Sequence, residues 1–229
     1  MNGIIDCCPC EPSLTKQFDS IFDTFSTDTM IERSAFIDNL RLAHRVANSG
    51  DVTIGAIVEC GTWRGGMAAG LMTVCGPERD YYFFDSFRGL PPAGIEDGEA
   101  AVEWQRNTTG PRYFGNCTAT REEFVDVVNR VGFPAERVKV YEGFFNEVFP
   151  RVAVPPIAVL RLDADWYEST MLCLEKFWDL VVPCGVIIVD DYYDWEGCRK
   201  AVHRFLAMRG AVEAIRITFP GQVCYLAKA

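Results

Sequence analysis

The 229-residue chain is 49% apolar and 24% charged, which is typical of one globular domain with a substantial core. Its 22 basic and 32 acidic residues give a formal net charge of −10, and this charge disfavours binding to nucleic acid or to an anionic membrane surface. The N-terminal segment lacks the basic and apolar regions of a signal peptide, and the longest apolar run, 180–189, is too short to span a membrane. We therefore expect a cytoplasmic protein.

Short apolar runs typical of strands alternate along the chain with longer runs typical of helices. The first two predicted helices, 14–25 and 30–48, form a helical N-terminal extension (1–50) of a single predicted domain (1–229). Strands are then predicted at 55–60, 81–85, 137–142, 157–163, 185–190, 212–218 and 222–227. The further predicted helices are 63–75, 119–132, 145–149, 166–180 and 195–209.

Strands that are separated by helices need crossover connections, so the predicted sheet is mostly parallel and covered on both faces. The last two strands flank Pro220-Gly221 and should form an antiparallel hairpin. The sequence therefore predicts an α/β fold with a doubly wound, seven-stranded sheet.

The stretch 88–118 shows no regular pattern and is too long for a plain connector. We interpret it as a lid or acceptor-binding segment, with a disordered loop as the alternative. Trp104, Tyr113 and Phe114 in this segment could line an aromatic or sugar face or pack in the core.

Ten cysteines occur in the chain, and three of them, Cys7, Cys8 and Cys10, cluster near its start. Cys7 and Cys10 have CxxC spacing, but no second pair completes a zinc site and no strand precedes them as in a redox motif. Incidental cysteines are favoured, and a metal or redox role is left open.

The first strand leads through Glu59 into the glycine-rich turn 61–66 before a helix, so that a ligand can approach the backbone. The turn has neither P-loop nor GxGxxG spacing, and its neighbouring carboxylate favours a positively charged ligand. Asp85, at the next strand end, can accept hydrogen bonds from a ribose diol. These features predict S-adenosylmethionine, although the turn alone could be structural. The predicted cofactor-binding residues are Glu59, Gly61, Thr62, Gly65, Asp85, Ser86, Gly143 and Phe144.

Carboxylates also follow two later strands: Asp163 after one, and Asp190 and Asp191 after the next. If the strands are neighbours, their ends lie about 4.8 Å apart. Oxygen ligands without histidine or cysteine favour Mg²⁺, Mn²⁺ or Ca²⁺, and solvated strand ends are the alternative. Asp165, three residues before Glu168, instead has the spacing of a helix cap, and Asp194 has a similar position before the last helix.

Four stretches resemble the macrocin O-methyltransferase family over roughly 27–206: VECGTWRGG (58–66), FDSFRGLPP (84–92), LRLDADWYEST (160–170) and VDDYYDWEGCRKAV (189–202). The resemblance implies a Rossmann-like class I methyltransferase fold and dependence on S-adenosylmethionine and Mg²⁺. Carried over by position, it places Glu59, Gly61, Asp85 and Ser86 at the cofactor. It also implies that Asp163, Asp190 and Asp191 are metal ligands.

The expected reaction transfers the methyl group to a hydroxyl of a small natural product, a sugar or a phenol. We expect Asp163 to be both metal ligand and general base. His203 is the competing base, although its apolar neighbours favour a structural role. The resemblance suggests a homo-oligomer. A metal-dependent hydrolase or other transferase, a non-catalytic cofactor-binding protein, and nitrogen rather than oxygen as acceptor are left open.

Overall fold

The computed structural model describes residues 12–229 except 51, 53 and 112, so the cysteine cluster at 7–10 lies outside the described residues. The helices are α1 (Pro12–Phe25), α2 (Arg33–Asn48), α3 (Gly66–Cys75), α4 (Gly98–Arg106), α5 (Arg121–Asn129), α6 (Phe145–Val148), α7 (Tyr167–Phe177) and α8 (Glu196–Arg209). The strands are β1 (Ala56–Cys60), β2 (Tyr81–Asp85), β3 (Val138–Glu142), β4 (Ile157–Leu162), β5 (Val181–Val189), β6 (Arg216–Ile217) and β7 (Cys224–Ala227).

The seven strands form one sheet in the order β3-β2-β1-β4-β5-β7-β6. The first five strands pair in parallel, whereas β7 is antiparallel to both β5 and β6. The predicted doubly wound sheet with a closing hairpin is therefore confirmed. The chain order reverses at β1 and β4, and parallel sheets bind ligands at such a switch point, beyond the carboxyl ends of the strands.

Helices cover both faces of the sheet. One buried cluster joins α1, α2, α3 and α5 to the face that carries Ile57, and a second joins α6, α7 and α8 to the face that carries Val58. Successive side chains of a strand point to opposite faces of the sheet. Because helices cover both faces, every residue of the central strand β1 is buried. No helix in the described part of the chain combines the length and apolar character needed to cross a bilayer.

The stretch 88–118 is more regular than its sequence pattern predicts. It contains α4 and two short 3-10 turns, Ile95–Asp97 and Gly115–Cys117. Helix α4 has nine residues, of which only Ala101 is buried, so it lacks the long buried face by which a helix is recognised in a sequence. The expectation of an irregular stretch is wrong for this reason.

Candidate active site

A cleft of about 1640 Å³ opens beyond the carboxyl ends of the central strands. The strands end together because their registers match: Cys60 of β1 pairs with Leu162 of β4, which pairs with Val189 of β5. The turns that follow β1, β2, β4 and β5 therefore meet at one rim of the sheet. The segment 88–118 forms much of the opposite wall.

Most of the site residues predicted from the sequence line this cleft. They are Gly61, Thr62, Asp85, Ser86, Gly143, Phe144, Asp163, Asp190 and Asp191. Glu59 and Gly65 do not line it, and their contacts with a cofactor stay predictions. Gly65 instead has a left-handed conformation (φ +92°) at the N-terminus of α3, where an added Cβ would meet the ring of Phe124 at 2.8 Å.

The carboxylate of Asp85 ties two of the turns together. Its Oδ2 accepts hydrogen bonds from the backbone N–H of Thr62 at 2.7 Å and of Trp63 at 2.9 Å. Its Oδ1 accepts one from the N–H of Phe87 at 2.7 Å. Burial raises the pKa of Asp85, and these N–H groups oppose that rise. The carboxylate therefore shapes the turns that follow β1 and β2 at this end of the cleft.

Gly61 follows β1 and lies against the backbone of Asp163, which follows β4. Its φ is +82°, and a Cβ at this position would lie 1.7 Å from the carbonyl oxygen of Asp163. A side chain would therefore push the turn away from the carboxylates that follow β4.

Three larger residues adopt left-handed conformations in the turns beside the cleft. Trp63 follows β1 with φ +46°, Phe87 follows β2 with φ +52°, and Asp165 follows β4 with φ +53°. Such conformations cost about 1–3 kcal/mol each and persist only where the surrounding structure imposes them. Their grouping at three adjacent strand ends is typical of a functional site.

The buried side chain of Arg161 contacts three carboxylates at or beneath the cleft wall, a role that its sequence position did not predict. This fully buried side chain donates from Nη1 to Glu59 Oε1 at 2.8 Å and to Asp163 Oδ2 at 2.9 Å. Its Nη2 lies 2.7 Å from Asp190 Oδ1, and its Nε donates to Asn39 Oδ1 at 3.1 Å. The sequence feature that could have indicated this role is the single charged residue in the otherwise apolar strand β4.

Glu59 is buried beside this arginine. Burial raises its pKa to about 8, although the positive charge of Arg161 opposes the rise. The second carboxylate oxygen, Oε2, is buried and has no hydrogen-bond partner among the described residues.

Asp163, Asp165 and Asp191 form a group in which one carboxylate oxygen from each lies within 4.8 Å of the others. Burial raises the pKa of Asp163 to about 6. Burial and then the neighbouring negative charges hold the pKa values of Asp165 and Asp191 well above their usual range. A divalent cation would relieve this repulsion, and oxygen donors suit Mg²⁺, Mn²⁺ or Ca²⁺.

The interpretation of Asp165 as a helix cap is wrong. The N-cap of α7 is Trp166, which makes no side-chain capping bond, and the left-handed backbone at Asp165 places its carboxylate in the cleft wall. There its Oδ1 accepts a hydrogen bond from Trp195 Nε1 at 3.0 Å. The cap predicted at Asp194 is also wrong, since Trp195 is the N-cap of α8.

The aromatic residues singled out in the segment 88–118, Trp104, Tyr113 and Phe114, line the cleft. The Trp104 ring lies 5.9 Å from that of Trp195 and 5.2 Å from that of Tyr113. His203 is exposed outside the lining, and its Nε2 lies 2.8 Å from the Tyr192 hydroxyl oxygen. This position does not favour His203 as the base.

Comparison with known proteins decides the family. A family model described as Macrocin-O-methyltransferase (TylF) matches residues 23–219, which is most of the chain. The chain belongs to the macrocin O-methyltransferase family. This confirms the resemblance seen in the sequence and, with it, a methyltransferase that uses S-adenosylmethionine.

Two curated relatives of this macrocin O-methyltransferase family member come from Streptomyces. The 8-demethyl-8-(2,3-dimethoxy-alpha-L-rhamnosyl)-tetracenomycin-C 4'-O-methyltransferase of Streptomyces olivaceus is 31% identical over 183 residues, which are 78% of this chain and 68% of the relative. The demethyldecarbamoylnovobiocin O-methyltransferase of Streptomyces niveus is 32% identical over 157 residues, which are 67% of this chain and 58% of the relative.

The fold of this family member is also known from solved structures. The O-methyltransferase NovP superposes with a TM-score of 0.77 at 23% identity, and the match covers 94% of this chain and 99% of that one. The predicted class I methyltransferase fold is therefore confirmed.

Proposed function

We propose that this chain transfers the methyl group of S-adenosylmethionine to a hydroxyl of a small natural product, a sugar or a phenol, with the help of a divalent cation. The observation that carries the proposal is the meeting of the glycine turn after β1 with Asp163, Asp165 and Asp191 in one cleft. The names of the relatives support the acceptor class, since one is named for a rhamnosyl-bearing compound. The acceptor oxygen would bond to the methyl carbon as the carbon–sulfur bond breaks, leaving S-adenosylhomocysteine.

Asp163 and Asp191 are the proposed ligands of Mg²⁺, because they belong both to the predicted ligand set and to the close carboxylate group. Asp190 is held by Arg161 and stays a predicted third ligand. A divalent ion bound there would lower the pKa of an acceptor hydroxyl and orient it. Arg161 keeps Asp163 in place through the hydrogen bond to Oδ2.

Asp165 is our proposed general base, in place of Asp163. Trp195 orients its carboxylate through Oδ1, and the other oxygen makes no hydrogen bond within the described part of the chain. Asp163 is the weaker candidate, because the positive charge of Arg161 opposes protonation of its carboxylate and because it is a proposed metal ligand.

The reaction is tested with the purified protein, S-adenosylmethionine, Mg²⁺ and a panel of glycosides and phenols. Mass spectrometry should detect an acceptor that has gained one CH₂ unit, together with S-adenosylhomocysteine. A chelator should stop turnover, and added Mg²⁺ should restore it. Cofactor binding without any turnover would favour a non-catalytic protein, whereas absence of S-adenosylhomocysteine binding in calorimetry would favour a hydrolase or another transferase.

Asp191→Asn should abolish metal-dependent methylation, because it removes a charged oxygen ligand from the proposed site. Calorimetry should show weaker Mg²⁺ binding and nearly unchanged S-adenosylhomocysteine binding. The exposed Asp126 of α5 provides the matched control, Asp126→Asn. Parental Mg²⁺ affinity and turnover in Asp191→Asn would exclude this metal site.

Asp165→Asn should lower the rate of methyl transfer by about 100-fold or more, the range for loss of a general base. The affinity for S-adenosylhomocysteine should stay close to that of the parent. Single-turnover rates separate this effect from binding. The proposal for Asp165 fails if the rate at saturating Mg²⁺ stays within a few-fold of the parental rate.

A further inference from the structure

A fully buried arginine lies beneath the carboxylates of the proposed metal site. Arg161 of β4 is 0% exposed. A buried charge is strongly disfavoured unless charged or hydrogen-bonding partners surround it. Among the described residues, four side chains contact the guanidinium, and they come from α2, from β1 and from the turns after β4 and β5. These four partners fall into two pairs with different positions relative to the cleft.

The first pair, Asn39 and Glu59, lies outside the cleft lining and orients the guanidinium. Asn39 of α2 accepts a hydrogen bond from Nε at 3.1 Å, and Glu59 of β1 accepts one from Nη1 at 2.8 Å. Both side chains are fully buried. The amide of Asn39 is itself held in place, because its Nδ2 donates to the carbonyl oxygen of Ala35 at 2.9 Å. Since a guanidinium is planar and rigid, contacts at two of its nitrogens fix the direction of the remaining N–H groups.

The second pair, Asp163 and Asp190, belongs to the predicted metal-ligand set, and each residue meets the guanidinium through one oxygen. Nη1 also donates to Asp163 Oδ2 at 2.9 Å, and Nη2 forms an ion pair with Asp190 Oδ1 at 2.7 Å. Asp191 is similar, since its Oδ2 accepts from the N–H of Asp165 at 2.9 Å. The other oxygen of each of these three carboxylates makes no hydrogen bond with a residue that the structure describes. The protein thus engages one oxygen of each carboxylate and leaves one available.

The number of available oxygens on each carboxylate bears on which cation the site prefers. Ca²⁺ takes about 6–8 oxygen ligands and often binds both oxygens of one carboxylate. Mg²⁺ is smaller, requires nearly octahedral geometry and keeps several water ligands. An oxygen that contacts a buried guanidinium cannot turn toward an ion without losing that contact. Carboxylates held in this way therefore suit Mg²⁺ better than Ca²⁺.

Building on the proposed function, we propose that Arg161 and Asn39 are positioning residues that set the cation preference of the metal site. Arg161 limits Asp163 and Asp190 to one available oxygen each, and Asn39 orients the guanidinium that does so. Because Asn39 belongs to α2, the helical N-terminal extension takes part in the metal site from outside the cleft.

The test measures the binding of Mg²⁺ and of Ca²⁺ to the full chain by calorimetry, in the presence of S-adenosylhomocysteine, so that no turnover is needed. The parent should bind Mg²⁺ more tightly than Ca²⁺. Arg161→Lys keeps the positive charge but replaces the planar fork with a single ammonium group. We expect the Kd for Mg²⁺ to rise about 10- to 100-fold, the range for loss of an outer partner of a metal ligand. The Kd for Ca²⁺ should rise much less, because freed carboxylates can offer both oxygens.

Asn39→Leu provides a second variant if Arg161→Lys does not fold. It keeps the guanidinium and removes only the acceptor of Nε, so the ratio of the Ca²⁺ Kd to the Mg²⁺ Kd should fall by a smaller factor. Asn39→Asp keeps an acceptor oxygen and should retain the parental ratio. The matched control is Leu40→Ala, a fully buried change at the next position of α2. It should lower the Tm and leave the ratio unchanged.

A parental ratio in both Arg161→Lys and Asn39→Leu would overturn the proposal. An equal shift in Leu40→Ala would also overturn it, because the shift would then reflect a general loosening of α2, and so would a parent that binds Ca²⁺ as tightly as Mg²⁺. Failure of the proposed function gives different results. In that case the parent binds no divalent ion, which removes the metal site and this inference together, or the predicted ratios are found and no acceptor is methylated.

Discussion

At the scale of single residues, the carboxylate of Asp85 joins two turns beside the cleft. The sequence predicts that it binds the ribose of the cofactor. In the structure both of its oxygens accept hydrogen bonds from backbone N–H groups of two turns. Any contact with ribose would use the remaining lone pairs, and the hydrogen bonds that the structure shows hold the turn 61–66 in shape.

Asp85→Asn should therefore weaken cofactor binding, because the amide nitrogen would face N–H donors that it cannot accept from. Loss of a charge-assisted hydrogen bond costs about 1.5–3 kcal/mol, so we expect the Kd for S-adenosylhomocysteine to rise about 10- to 100-fold. Calorimetry measures the change, with Asp126→Asn as the exposed control. An unchanged Kd would show that the turns keep their shape without this carboxylate.

At the scale of elements, the segment 88–118 is attached to the domain by a few buried contacts. Asp97 is 4% exposed; its Oδ1 accepts from the N–H of Tyr167 at 2.6 Å and its Oδ2 from that of Gly94 at 2.7 Å. The Trp166 indole also donates to the carbonyl oxygen of Pro91 at 2.9 Å. These contacts fasten the cleft wall formed by 88–118 to the start of α7, next to Asp165.

Asp97→Ala should loosen this wall without disturbing the cofactor end. It leaves two N–H groups without acceptors, which costs about 1–3 kcal/mol and should lower the Tm by about 5 °C. Hydrogen exchange should accelerate within 88–118, while the affinity for S-adenosylhomocysteine stays at the parental value. Glu99→Ala, an exposed change in the same segment, is the control. Unaltered exchange in Asp97→Ala would show that other contacts hold the segment.

At the scale of the whole molecule, buried carboxylates make stability depend on pH. The pKa of Glu59 rises from 4.5 to about 8 on folding, chiefly through burial. Between these values the folded protein holds a proton that the unfolded chain has released. The contribution of Glu59 to stability is therefore complete at low pH and is lost as the pH rises through this window.

The metal-free protein should thus have a lower Tm at pH 8 than at pH 5. In Glu59→Gln the decrease in Tm over this pH range should be smaller. We expect the two proteins to differ in their loss of Tm by at least about 3 °C, which corresponds to roughly 1 kcal/mol for a chain of this size. Calorimetric scans across this pH range with a chelator present measure the difference. Parallel curves for parent and Glu59→Gln would mean that Arg161 keeps Glu59 ionised in the folded state.

The sequence by itself determined the architecture of this protein, because strands buried on both faces and intervening amphipathic helices are local patterns. Six of the seven strands lie within a few residues of their predicted ranges, although β6 shrinks to two residues, and the carboxylates that follow the strands identified the rim of the site. These features depend on periodicity and on neighbours along the chain.

Only the tertiary structure decided which charged groups meet. Glu59 and Arg161 are 102 residues apart, and their contact follows from the pairing of β1 with β4. Asp165 has the sequence spacing of a cap, but its left-handed backbone turns it toward the cleft instead. Helix α4 is held by distant elements, through the Asp97 carboxylate at its start and through the ring of Trp104, which packs against Trp166 and Trp195. Neither long-range contacts nor backbone strain can be predicted from a short stretch of sequence, because both depend on the free energy of the whole fold.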